Sequence, residues 1–367
     1  MQYYILLLSL VVLSFVGFKS ASEPTVSAHE AKNSSKKAPL NIIFMVGDGM
    51  GLSQITAGLY SNGNTLSLEK MKHIGFIKTH SADKLITDSA AGATAFSCGV
   101  KTYNNAVGVD KDTIAKETIM EAAKKKGLRT GLVVTCTVTH ATPGSFYAHQ
   151  KTRKMHPEIA LDILGGDVDW FIGGGKAFFE NRADGRNLSD ELRGMGYTIG
   201  YTLADLRADM DKAGVLAADT ELITIAQGRG DFLAKGSELA IQGLNNGHQG
   251  FFLLIEGSQI DWGGHAKNSQ YIIDEMIDFD NTIGKVLEFA EKDGNTLVIV
   301  TADHETGGYA INGGDLQKKT IEGAFTTGHH TAAMVPVFAF GPGAEEFMGI
   351  YENTAIYTKM MALLGLK

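Results

Sequence analysis

Four predominantly apolar runs end, one after another, on side chains of the kind that bind metals or anions. The runs are 41–46 (NIIFMV), 130–135 (TGLVVT), 251–255 (FFLLI) and 296–301 (TLVIVT); a fifth, 335–340 (VPVFAF), has the same texture. Continuous apolar runs of this length read as strands buried on both faces of a mainly parallel sheet. Between them, 112–126 and 269–292 read as helices. In the second, Ile272, Ile273, Met276, Ile277, Ile283, Val286, Leu287 and Ala290 make one apolar stripe. Strands alternating with helices predict an α/β fold, a single large three-layer sandwich whose mainly parallel central sheet is flanked by helices on both faces. From Leu40 onward there is no linker, repeat or low-complexity block, so residues 39–367 are expected to form one domain. Residues 176–235 carry helical patterns and are expected at its periphery.

Composition narrows the class further. A chain of 367 residues that is 44% hydrophobic has enough material for a large core and is excluded from the disordered class. Acidic residues number 41 against 33 basic ones, a net charge of -8, which argues against nucleic acid as a partner. An anionic substrate would therefore need local cations, from Arg, Lys or bound metal. At the N-terminus, 3–18 is almost wholly apolar and is followed by Lys19-Ser20-Ala21-Ser22. The segment is shorter than the roughly 20 residues of a membrane span, so 1–21 reads as a signal peptide and 22–38 as a flexible polar leader. Cleavage would leave no membrane span and an exported protein, periplasmic or extracellular.

The chemistry follows the strands. Behind 41–46 stands Gly47-Asp48-Gly49-Met50-Gly51, and behind 130–135 stand Thr139-His140-Ala141-Thr142-Pro143. The third run leads into Glu256-Gly257-Ser258-Gln259-Ile260-Asp261-Trp262-Gly263-Gly264-His265, the fourth into Ala302-Asp303-His304-Glu305-Thr306. A single Asp after a strand is often only a turn former or helix cap. Four such clusters are a different matter, because ligands of open α/β sheets bind outside the carboxyl ends of the strands. Mixed carboxylate and imidazole sets suit zinc, whereas an oxygen-only set such as Asp, Thr and Glu suits magnesium. A second element, Thr87-Asp88-Ser89-Ala90-Ala91-Gly92-Ala93-Thr94-Ala95-Phe96, reads as a tightly packed small-residue helix with Ser89 near its anion-favouring N-terminus. Taken alone, Ser89 is equally well a helix cap, and Arg153 a solvated surface arginine.

Together the segments GDGMG, TDSAAGATAF with the following CGVKT, THATPGSFYAH, EGSQIDWGGH, TADHETGG and HHTA resemble the alkaline phosphatase family, in that family's order, over about 41–343. The resemblance implies a phosphomonoesterase with two zinc ions and one magnesium ion. Asp261, His265 and His330 would hold one zinc; Asp303, His304 and Asp48 the second, beside the Ser89 oxygen. Asp48, Thr142 and Glu256 would hold the magnesium, and His330 is preferred to His329 because the family's ligand directly precedes Thr or Ser. Ser89 would be the nucleophile that becomes phosphoserine, and Arg153 the fork that clamps two phosphoryl oxygens. Small phosphate monoesters would be the substrates, and a homodimer is a candidate assembly.

Two departures stand out. His140 and Trp262 occupy positions where the best-studied bacterial members carry Asp and Lys, which puts magnesium affinity and product release in question rather than activity. Cys98 and Cys136 do not match the paired cysteines of those members and read as free, buried thiols. The short segment between His304 and His330 implies that the extra surface domain of larger animal members is absent or small. Rival functions fare worse. Sulfatases need a Cys/Ser-x-Pro-x-Arg context that Ser89-Ala90-Ala91-Gly92 lacks, diesterases commonly use Thr, and a mere exported metal or phosphate binder would need no Ser89.

Overall fold

The computed structural model describes residues 40–247 and 249–366; the segments expected to be signal peptide and leader lie outside the described residues. Its strands are β1 (Asn41–Gly47), β2 (His73–Lys78), β3 (Arg129–Thr137), β4 (Trp170–Gly174), β5 (Tyr197–Gly200), β6 (Lys212–Leu216) and β7 (Phe251–Gly257). After these come β8 (Thr296–Thr301), β9 (Glu305–Thr306), β10 (Tyr309–Asp315), β11 (Thr320–Phe325), β12 (His330–Thr331), β13 (Val335–Phe340) and β14 (Gly349–Glu352). Among the described residues ten of them form one sheet in the order β14-β2-β13-β8-β1-β7-β3-β4-β6-β5. Only β13 runs against its neighbours, pairing antiparallel with both β8 and β2.

The five runs read from the sequence are all strands of this sheet, and four lie side by side at its centre. Ile42, Ile43, Phe44, Met45 and Val46 of β1 are each 0% exposed, as a strand covered on both faces must be. Side chains alternate between the two faces. On one face, Phe44 meets Phe96 of the helix Ser89–Cys98 at 5.4 Å between ring centroids, and Phe252 stacks on Phe146. On the other, Gly257 lies against Phe279 of the helix Ser269–Asp293, and Val133 against Gly236 of the helix Phe232–Leu244. Helices thus cover both faces, which makes the three-layer sandwich. The long helix Ser269–Asp293 extends one residue past the expected 269–292, where Gly294 stops it in a left-handed conformation, φ 66°.

Two expectations are corrected. The helix read at 112–126 is only Ile119–Lys125. Asp110 Oδ1 accepts hydrogen bonds from the backbone of Asp112 and Ile114, and this local turn outcompetes the helix there. The helix starts instead at a capping box, in which Thr118 and Glu121 exchange side-chain-to-backbone hydrogen bonds at 3.1 and 2.7 Å. Residues 176–235, read as helical and peripheral, lie at the edge of the sheet but are only partly helical. They supply β5 and β6, which extend the sheet beyond β4, along with the short helices Lys176–Glu180 and Leu188–Gly194. The segment between His304 and His330 is the hairpin β10–β11 rather than a further domain. No helix among the described residues is long and apolar enough to cross a membrane.

Candidate active site

Register explains why the ligand-bearing loops meet. In the sheet Val46 lies level with Glu256 on one side and Thr301 on the other, while Val134 of β3 is level with Glu256. β1, β7, β8 and β3 therefore run out along one edge, and the residues that follow them share one space. Asp48 leaves β1, Glu256 sits next to last in β7, Asp303 and His304 follow β8, and His140 and Thr142 follow β3. Asp261 and His265 stand one turn apart on the helix Ile260–His265, and His330 lies on β12, paired with Thr306 of β9. Close approach is needed where β1 ends: Gly49 has φ +71°, and a Cβ there would stand 2.7 Å from Asp261 Cα. Its backbone N–H donates to Asp303 Oδ1 at 3.2 Å.

Two ligand clusters result. In the first, Asp261 Oδ2 is 3.2 Å from His265 Nε2, its Oδ1 is 3.4 Å from His330 Nε2, and the two Nε2 atoms are 3.1 Å apart. His265 Nδ1 donates to Gly328 O at 2.8 Å and His330 Nδ1 to Thr87 O at 3.0 Å, which leaves both Nε2 lone pairs aimed inward. The neighbouring His329 is exposed. In the second cluster, His304 Nε2 is 3.2 Å from Asp303 Oδ2 and 3.5 Å from Asp48 Oδ1. The His304 ring stacks on His330 at 3.5 Å, so the clusters abut. Ser89 Oγ reaches His304 Nε2 at 3.3 Å. It is free to do so because Asp88, not Ser89, caps the helix, accepting from Ala91 N at 3.0 Å.

A third group gathers Cys136, His140 and Glu256, whose ligand atoms all lie within 4.8 Å of one another. Thr142 Oγ1 is buried nearby in sequence, on the short helix Ala141–Gly144. Asp48, read from the sequence as shared between the second zinc set and the magnesium set, groups with Asp303 and His304. Arg153 is drawn in as well, with Nη1 3.3 Å from Asp88 Oδ2 and Nη2 3.1 Å from His140 Nε2. Trp262 packs edge-on against His140 at 6.2 Å. Sequence reasoning missed Asp88 as the residue that holds Arg153, Cys136 as a neighbour of Glu256, and Thr306, whose hydroxyl links Asp261 to His304. An Asp directly before a small-residue helix reads only as a cap, and the other two left no signal in the sequence.

The electrostatics call for cations. Burial, and then the charges of Asp303, Asp261 and Glu256, hold the Asp48 carboxyl far above the usual range. Burial pushes Asp303 up to about 6 and Glu256 up to about 7. Both Asp48 oxygens, Asp303 Oδ2, Glu256 Oε1 and Thr142 Oγ1 are buried without a hydrogen-bond partner among the described residues. Orphaned acceptors of this number are costly unless something positive sits among them. Burial also drives His304 and His140 well below the usual imidazole range, which keeps them neutral and able to coordinate. Divalent ions fit these residues: they would satisfy the orphaned oxygens and return the carboxylates to their charged form.

An α/β sandwich with carboxylate and imidazole clusters beside a serine at a helix N-terminus defines a hydrolase site. Residues 39–323 match the alkaline phosphatase family model. Alkaline phosphatase 3 of Bacillus subtilis is 35% identical over 95% of this chain and 95% of its own length. The solved alkaline phosphatase of the Antarctic bacterium TAB5 superposes with a TM-score of 0.86 at 46% identity, over 90% of this chain and 99% of that one. A variant of that enzyme with a histidine changed to aspartate, similar to the same extent, has magnesium bound in its M3 site. This chain belongs to the alkaline phosphatase family, a metal-dependent family of phosphatases that hydrolyse phosphate monoesters.

Proposed function

We propose that the protein is an exported phosphomonoesterase that works through a phosphoserine at Ser89, with two zinc ions and one magnesium ion. The observation that carries this reading is the Ser89 hydroxyl, 3.3 Å from His304 Nε2 and bordered by two carboxylate–imidazole clusters. Asp261, His265 and His330 would hold one zinc, and Asp48, Asp303 and His304 the other. Asp48, Thr142 and Glu256 offer oxygen for magnesium, and magnesium in the M3 site of the TAB5 variant supports that ion. When bound, the ions supply Lewis-acid charge that favours ionised oxygen and neutralises the phosphoryl group.

The chain's own groups do the rest. The Ser89 hydroxyl gives up its proton to solvent, Oγ bonds phosphorus as the bond to the ester oxygen breaks, and the departing alkoxide takes a proton from water to leave as the alcohol. Water then cleaves the phosphoserine, giving inorganic phosphate and restoring Ser89. Because Asp88 caps the helix, the hydroxyl is spared for this attack, and the helix dipole favours the incoming anion. Arg153, held by Asp88 and His140, offers a planar fork to two phosphoryl oxygens. His140 borders the fork and Trp262 packs edge-on against His140, and the two would tune product release. Export rests on the apolar segment 3–18, and a homodimer remains the candidate assembly. Elemental analysis of the purified protein should find about two zinc ions and one magnesium per chain. Chelation should abolish phosphatase activity, with restoration by both ions together; undiminished turnover by metal-free protein would overturn the reading.

A further inference from the structure

Arg153 is held by more than the two side chains at its tip. Its backbone N–H donates to Asn105 O at 2.8 Å, and the N–H of that same Asn105 donates to both oxygens of Asp88, at 3.1 and 3.0 Å. A single residue thus ties the main chain of the arginine to the carboxylate that grips its guanidinium. Asn104 holds the chain on either side: its Oδ1 accepts from Asp88 N at 3.3 Å, and its Nδ2 donates to Ile86 O at 3.0 Å. The two asparagines are the middle of a turn closed by Ala106 N donating to Tyr103 O at 3.2 Å. Both flanks of that turn are laced to the segment that carries Arg153, Tyr103 Oη donating to Lys151 O at 3.0 Å and Val107 pairing with Gln150. Asn105 stands at φ +77°, the left-handed third position that a turn of this kind requires and that asparagine tolerates better than most residues. Its side chain is exposed, so its backbone is what the structure uses.

We propose that Asn104 and Asn105 are positioning residues for the phosphate clamp: the turn they form fixes Arg153 to Asp88, and so sets the reach of the guanidinium from the Ser89 hydroxyl. The inference rests on the proposed role of Arg153 as that clamp. Asp88 caps the helix that begins at Ser89, so whatever is fastened to Asp88 is fastened to the nucleophile as well. An arriving phosphoryl group competes with Asp88 for the guanidinium, and the ion pair alone is a poor anchor during turnover. The bonds made by Asn104 and Asn105 involve no guanidinium nitrogen, so they hold while the fork turns to its substrate.

Asn104→Ala removes both side-chain bonds, and Asn105→Val puts a β-branched residue where the backbone is left-handed. At equal metal loading, each should raise the inhibition constant of inorganic phosphate and lower kcat/KM for an aryl phosphate by about tenfold. Preference for the aryl phosphate over its diester should fall too, which a general loosening of the fold would not produce. Asn105→Gly, at ease in the left-handed region, should recover most of what Asn105→Val loses. In an Arg153→Ala background neither substitution should cost more than about twofold, because the group they position is gone. Equal losses in both backgrounds, or losses that leave the monoester preference unchanged, would overturn the inference and leave the clamp standing. Unchanged rates in both variants, beside a normal loss in Arg153→Ala, would do the same. Rates and phosphate inhibition untouched by Arg153→Ala itself would overturn the clamp and the inference together.

Discussion

Arg153 is gripped from two sides before any substrate arrives, by Asp88 Oδ2 at 3.3 Å and His140 Nε2 at 3.1 Å. A guanidinium fixed in this way has less rotamer freedom to lose on binding phosphate. Charge-assisted, bidentate hydrogen bonds to a phosphoryl group contribute on the order of 1.5–3 kcal/mol. Arg153→Ala should therefore lower kcat/KM roughly 10- to 200-fold. Arg153→Lys should recover only part of this, since an ammonium restores charge but not the fork. A phosphodiester has fewer free oxygens to clamp, so the variant's preference for monoester over diester should fall as well. Steady-state rates on an aryl phosphate and its diester measure both, and unchanged rates would put Arg153 outside the site. The anchoring by Asp88 was not legible in the sequence, where an Asp before a helix looks like a cap and nothing more. It is a cap, and its second oxygen does the additional work.

At the scale of elements, the tight turn after β1 brings Asp48 and the helix Ile260–His265 together. Gly49→Ala would place a Cβ 2.7 Å from Asp261 Cα and 2.8 Å from Thr306 Oγ1, in a left-handed backbone at φ +71°. Gly127 makes the natural control, with φ +85° and nothing within 4 Å of its added Cβ. Both substitutions should cost about 1–2 kcal/mol of backbone strain in thermal unfolding. Only Gly49→Ala should also lose bound zinc and activity, because it pushes Asp261 away from its histidines. Equal activity in the two variants would contradict this account of the turn. Elements themselves were legible where a strand is long and apolar on both faces, as in β1 and β8. They were not where glycine interrupts the pattern: β4 ends in two glycines, and Gly214 of β6 is small because the Phe171 ring occupies the space a side chain would fill. The overlong helix at 112–126 failed for another reason, a side-chain turn at Asp110 that helical periodicity does not register.

Across the whole molecule, the loop after β6 is tied to the long helix Ser269–Asp293 by a buried arginine. Arg229, with a side chain only 2% exposed, pairs with Glu275 and with Asp278 at 2.9 Å. Arg229→Met would leave two buried carboxylates unpaired, a loss of about 3–5 kcal/mol near pH 8. Burial already raises both carboxyls, and Arg229 opposes it; without the arginine they rise further. A raised acid stabilises the fold below its unfolded pKa and loses that contribution as pH climbs through the folded one. The gap in melting temperature between the two proteins, at equal metal loading, should therefore be small at pH 5 and wide at pH 8. A gap that narrows with rising pH would contradict the pairing. The candidate site was legible at this scale because a parallel sheet delivers the carboxyl ends of its strands to one edge, whatever the details. Cys136 was not: a register irregularity in the pairing of β3 with β4 between Val133 and Thr137 makes the aim of that thiol unreadable from strand alternation.

The central claim is the covalent step at Ser89, and acid quenching during turnover tests it most directly. Protein mixed with excess phosphate monoester, quenched in acid, digested and analysed by mass spectrometry should yield one peptide carrying one phosphoryl group on Ser89. Ser89→Ala, folded and with its metals bound, should yield none and lose most of the rate. A phosphoryl group on another residue, or a Ser89→Ala variant turning over at the unmutated rate, would contradict the account.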